Sequence, residues 1–125
     1  MKIRIILYSV LISGILGIYG CGSENRELKK DAKNIADAMC KSMEAMKKLR
    51  GVNPADSVQV NRLQTEYKIV ESAMSGLNQE FRKKYEKKLA TGEFNDEFRK
   101  YLSEAMLECK SLSKEERETF EKESK

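Results

Sequence analysis

The chain has 125 residues, of which 40% are hydrophobic and 35% charged, with no histidine, no tryptophan and one proline, Pro54. Its formal net charge is +4. This length holds one domain at most. Without histidine there is no ready general base near neutral pH and no imidazole for zinc, and so small a charge surplus does not mark a nucleic-acid binder. Abundant Lys, Glu, Met, Leu and Ala with a single proline favour helices over strands.

The first segment reads as an address. Lys2 and Arg4 form a short positive region, and Ile3 to Tyr19 is almost wholly apolar, broken by Ser9, Ser13, Gly14 and Gly17. Gly20 and Cys21 follow. A positive start, an apolar stretch and a small residue is the layout of a secretory signal peptide. The run is short for a transmembrane helix, which needs about 20 apolar residues.

The stretch Ile18-Tyr19-Gly20-Cys21 resembles the lipobox of bacterial lipoproteins. Ile18, Gly20 and Cys21 match that pattern; Tyr19 stands where most lipoboxes carry a small residue. The resemblance covers residues 1–21 alone. It implies that residues 1–20 are a cleaved signal peptide and that Cys21 receives a diacylglyceryl group. Two acyl chains give stable anchoring where one does not. An uncleaved N-terminal anchor, or an ordinary signal peptide with a free Cys21, are the alternatives on these residues. Gly22 is not the aspartate that retains such proteins in the inner membrane, so the resemblance points to the outer membrane, on its periplasmic face or at the cell surface. Residues 21–25 then form an acylated tether of about 10–15 Å, and residues 26–125 the domain.

From Leu28, apolar or small residues recur at alternating four and three spacing: Leu28, Ala32, Ile35, Met39, Ser42, Met46 and Leu49. This is one face of a helix, widened by Ala36, Cys40 and Met43, with Gly51 as its expected C-terminal cap. A second helix is expected from Asn53-Pro54, with Asn as cap and Pro at the first helical position. Its stripe runs Val60, Leu63, Tyr67, Val70, Met74, Leu77, Phe81, Tyr85 and Leu89, and Thr91-Gly92 is expected to end it. Gly76 inside it marks a possible kink or break. A third helix, capped by Asn95 or Asp96, carries Phe98, Leu102, Ala105, Cys109 and Leu112. Ser113 and Glu116 match a capping box, predicting a short helix over 114–122.

The expected fold is all-α: a small antiparallel three-helix bundle, or four helices if the second breaks at Gly76. Charge agrees with it. Residues 24–50 carry net +3, residues 54–91 net +2 and residues 93–125 net −3, so an acidic C-terminal third faces two basic segments. Cys40 and Cys109 remain once Cys21 is lipidated. Exported chains sit where disulfides persist, so these two are expected to pair; two buried free thiols are the alternative.

No catalytic pattern emerges. Asp96-Glu97 and Glu115-Glu116 fall at helix starts, where acidic residues suit the macrodipole, and there is no phosphate loop, EF-hand or nucleophile elbow. Met39, Met43, Met46, Met74 and Met106 sit at core spacing. The basic run Arg82, Lys83, Lys84, Lys87 and Lys88, interleaved with Phe81 and Tyr85, is either a polyanion-binding patch or a solvated face whose aromatics point inward. The expectation is therefore a non-enzymatic, lipid-anchored envelope protein without metal or cofactor. It would meet the membrane through its lipid and offer a helical surface to an unknown protein partner. A periplasmic binder or inhibitor of a cell-wall hydrolase, a lipid or another polyanion is the alternative.

Overall fold

The computed structural model describes the side chains of residues 25–125. The expectations placed on residues 1–24, including the signal segment, the acylated Cys21 and most of the tether, lie outside the described residues. Four helices, α1 (Lys2–Gly51), α2 (Ser57–Lys84), α3 (Gly92–Met106) and α4 (Lys114–Glu123), form the chain. Among the described residues there is no strand.

α1 is the central element: α2 and α3 both pack on it, and α4 packs on α3. Leu28, Ala32, Ile35, Ala36 and Ser42 are buried, with Met39, Met46 and Leu49 half-buried beside them. Ala38 and Ala45 are also buried, although they lie off the expected stripe. A helix flanked on two sides must bury a wider arc than a single stripe, and small side chains there let its neighbours approach.

The α1–α2 link differs from expectation. No described glycine has positive φ, so Gly51 closes α1 as an ordinary helical residue. Asn53-Pro54 forms a turn, not a helix start. The Asp56 N–H donates to Asn53 O at 3.0 Å, and the Ala55 N–H donates to Asn53 Oδ1 at 3.0 Å. The fixed φ of Pro54 suits the second turn position as well as it suits a first helical turn. The cap of α2 is Asp56, whose Oδ1 accepts from the Gln59 N–H at 3.0 Å.

α2 runs through Gly76 without a break, and the fourth helix arises instead from Lys114–Glu123. All nine residues of the α2 stripe are buried or half-buried. The helix ends at Lys84, seven residues before Thr91, and turns cover residues 85–90. Thr91-Gly92 opens α3 and does not close α2: Thr91 is the N-cap and Gly92 the first helical residue. Asn95, expected as a cap, lies inside α3 and donates from Nδ2 to Leu89 O at 3.0 Å. This earlier start brings Phe94 into the core, which a helix begun at Asn95 would leave in the preceding loop.

That core joins Leu28 and Ile35 of α1 with Phe81, Tyr85 and Phe94, and Met39, Leu77, Leu89, Phe98, Tyr101 and Leu102 pack around it. Ring centroids of Phe81 lie 4.4 Å from Phe98 and 4.7 Å from Tyr85, with Tyr85 5.1 Å from Phe94. Such pairs add about 0.5–1.5 kcal/mol each beyond area burial. Because Leu28 meets Tyr85 and Phe94 while Cys40 meets Cys109, α2 runs back along α1 and α3 runs forward again. α3 stops at Met106, its most buried large side chain, so Cys109 and Leu112 lie in the loop that follows. The capping box of α4 is complete: Ser113 Oγ accepts from the Glu116 N–H, and Glu116 Oε2 accepts from the Ser113 N–H at 2.7 Å.

Candidate functional site

The basic run occupies the last turn of α2 and the turn after it. Phe81 and Tyr85, four residues apart, share the buried face, which leaves the intervening cations outside. Arg82, Lys83, Lys87 and Lys88 are exposed. Lys84 is used differently. Its Nζ lies 2.7 Å from Glu27 Oε1 and 2.7 Å from Asp31 Oδ2. The Tyr85 hydroxyl donates to the same Asp31 oxygen at 2.8 Å. The two carboxylates hold the Lys84 ammonium well above its ordinary pKa, Asp31 first and Glu27 second. Burial, and then the hydrogen bond to Asp31, push the Tyr85 phenol up to about 12. This cluster ties the end of α2 to the first described turns of α1. It removes Lys84 from the free surface charge.

On the exposed side of that end, Asn78, Phe81, Arg82, Lys83, Glu86, Leu89, Asn95 and Phe98 line an open groove of about 760 Å³. Its floor is apolar, from Phe81, Leu89 and Phe98, and two cations stand on its rim. A second open groove of about 460 Å³ runs between α1 and α2, past Ala38, Ile69, Val70, Ala73 and Leu77. Ile69 is 64% exposed there.

The opposite end is held covalently. Cys40 and Cys109 form a disulfide with Cα atoms 5.8 Å apart, which joins the middle of α1 to the loop after α3. That loop is pinned on both sides. Ser111 Oγ donates to Glu44 Oε1 at 3.0 Å, and Lys47 Nζ donates to Ser111 O. From α4, Arg117 donates to Leu107 O at 2.8 Å and to Cys109 O at 3.2 Å, satisfying carbonyls that the end of α3 leaves open.

No protein-family model, curated protein or solved structure matches this chain. Its chemistry rests on its own residues. Among the described residues no three His, Cys, Asp or Glu side chains group to hold a metal, and no helix is long and apolar enough to cross a membrane. The five basic residues are adjacent in space, as their sequence order requires, but they do not act as one set, because Lys84 is paired. Glu27, Asp31 and Arg117 were not legible as partners. The signal for the first two was present: carboxylates four apart on one helix face, flanking Leu28, opposite the most basic stretch of the chain. Arg117 lay within a charged tail without a periodic signature.

Proposed function

We propose that the mature chain is a non-enzymatic, lipid-anchored protein of the bacterial cell envelope. In this reading residues 1–20 are a signal peptide, Cys21 carries the lipid, and residues 26–125 form a disulfide-clamped antiparallel bundle that offers its surface to another protein. The observation that carries it is the order of features at the N-terminus: cations, an apolar run, then Ile18-Tyr19-Gly20-Cys21. The Cys40–Cys109 bond supports it independently, since such bonds persist in exported proteins and are rare in the cytosol. The residue after Cys21 is Gly22, which favours the outer membrane. The open apolar groove between α1 and α2, with Ile69 exposed, favours a second reading in which the domain binds or inhibits a periplasmic protein.

Intact mass of the membrane-extracted protein, before and after reduction and alkylation, tests the first reading. The expected mass is residues 21–125 plus two or three acyl chains, with two alkylations only after reduction. An unacylated mass retaining residues 1–20 overturns it.

A further inference from the structure

The fold decides which end of the bundle faces the anchor, and that end is the basic one. Lys84 bonds Glu27 and Asp31, so the α2 terminus sits against the first described turn of α1. Cys21 precedes Glu27 by six residues. Even fully extended, six residues span only about 20 Å. A lipid on Cys21 therefore holds the first described turn of α1, and the α2 terminus bonded to it, within about 20 Å of the headgroups, two to three Debye lengths at ~8 Å each even at full extension. Arg26 and Lys30 of α1 are exposed at the same level, as are Arg82, Lys83 and Lys87. Lys84 balances one of the two charges on Glu27 and Asp31, so that cluster keeps one negative charge and Glu86 adds a second within this turn, against the five exposed cations. The acidic start of α3, at Glu93 and Asp96, belongs to the same end, so the positive side is the one built by α1 and α2. The groove beside it adds an apolar floor of Phe81, Leu89 and Phe98 beneath Arg82 and Lys83.

We propose that this end is a second membrane contact: Arg26, Lys30, Arg82, Lys83 and Lys87 dock on anionic phospholipid headgroups of the membrane that holds Cys21. The inference rests on the lipid anchor. It adds that the domain is not free to swing on its tether. It lies with its α1–α2 side tipped onto the bilayer, which turns the Cys40–Cys109 end and the loop at residues 107–113 outward. One acyl group plus a basic cluster is already a two-signal attachment; here the cluster orients a domain that the lipid alone retains. Each basic residue near an anionic surface contributes about fivefold in occupancy.

The test uses the protein extracted from membranes and inserted into nanodiscs of phosphatidylcholine alone, or with about a third phosphatidylglycerol. Lysine acetylation rates are read by mass spectrometry, with Lys41 and Lys68 as internal references. Lys83 and Lys87 are expected to react at least about threefold more slowly in the anionic discs. The protection should vanish near 1 M salt, where the Debye length is ~3 Å, and in the variant Arg82→Glu/Lys83→Glu. In that variant Lys87 is the reporter. Equal rates in both discs, on protein whose intact mass carries the acyl chains, overturn the contact and leave the anchor standing. An unacylated mass overturns both.

Discussion

Replacing Cys40 and Cys109 together by alanine removes the one covalent tie between α1 and the α3–α4 half. The bond spans 69 residues, and in the chain-entropy picture opening a loop of that length costs about 4 kcal/mol. Alanine leaves little void at Cys40, which is half-exposed, and a small one at buried Cys109. A domain of roughly 100 residues has about 5–15 kcal/mol of stability in all, so the loss is about a quarter or more. Urea unfolding of the detergent-solubilised protein, followed by far-ultraviolet ellipticity, should show the midpoint falling by about 1–4 M. The loss should be uneven. Amides of α4 and of residues 107–113 should exchange fastest, because the aromatic core that holds α3 lies at the other end, around Phe94 and Phe98. A fall below about 1 kcal/mol would refute the reasoning. It would mean that Glu44 and Lys47 alone keep the loop on α1.

Gly76 sits exposed inside α2, and a Cβ built there meets nothing within 4 Å; Gly76→Ala should stabilise the protein by about 1 kcal/mol in the same urea assay. Phe81→Ala removes a ring that touches Tyr85, Phe94 and Phe98 and should cost about 3–5 kcal/mol, with loss of cooperative unfolding on heating. The Tyr85 phenol is raised to about 12 from an ordinary 10.0, so its contribution is complete below pH 10 and is lost as pH rises towards 12. The phenolate absorbance should report that late titration, and Tyr85→Phe should reduce the stability loss in that window, the remainder coming from the raised Lys84 ammonium and the raised Tyr67 and Tyr101 phenols. Ser113→Ala should cost about 1 kcal/mol and speed amide exchange in α4. The Ser113 backbone N–H holds the Glu116 carboxyl below the usual range, so the cap is intact above that range, and α4 should fray as pH falls through and beneath it.

The stripes were legible because burial follows periodicity. Every residue of the α2 stripe from Val60 to Leu89 is buried or half-buried, as is every stripe residue of α1 from Leu28 to Leu49. The capping box at Ser113 was legible because both of its partners are local. Boundaries were less so. Asn53-Pro54 and Thr91-Gly92 each admit two local structures of similar cost, a turn or a cap, and tertiary contacts chose between them. Phe94 selected the start of α3, since burying it against Phe81 and Tyr85 outweighs a better cap at Asn95. Ala38 and Ala45 were missed because a single stripe presumes a single partner. The pairing of Lys84 with Glu27 and Asp31 is a long-range contact, which no spacing rule reports.

The way α1 is held bears on why so small a domain tolerates a core rich in alanine and methionine. Ala32, Ala36, Ala38 and Ala45 bring α2 and α3 close to α1 but bury little area each, at about 25 cal/mol per Å². The compensation is placed at the two ends. Near residue 28, four aromatic rings and the Lys84–Asp31–Tyr85 cluster close the bundle. Near residue 40 the disulfide does so. The stretch of α1 between these closures, with Ala32, Ala36 and Ala38, can then stay small and closely packed, because its neighbours are fixed on either side of it. The two closures also respond to different conditions. A reductant should release the Cys40–Cys109 end and leave the aromatic end paired. Alkali near pH 12 should loosen the aromatic end and leave the Cys40–Cys109 end joined. Residue-resolved amide exchange under each condition separates them, and release of both ends together under either one would show that the bundle opens as a single unit.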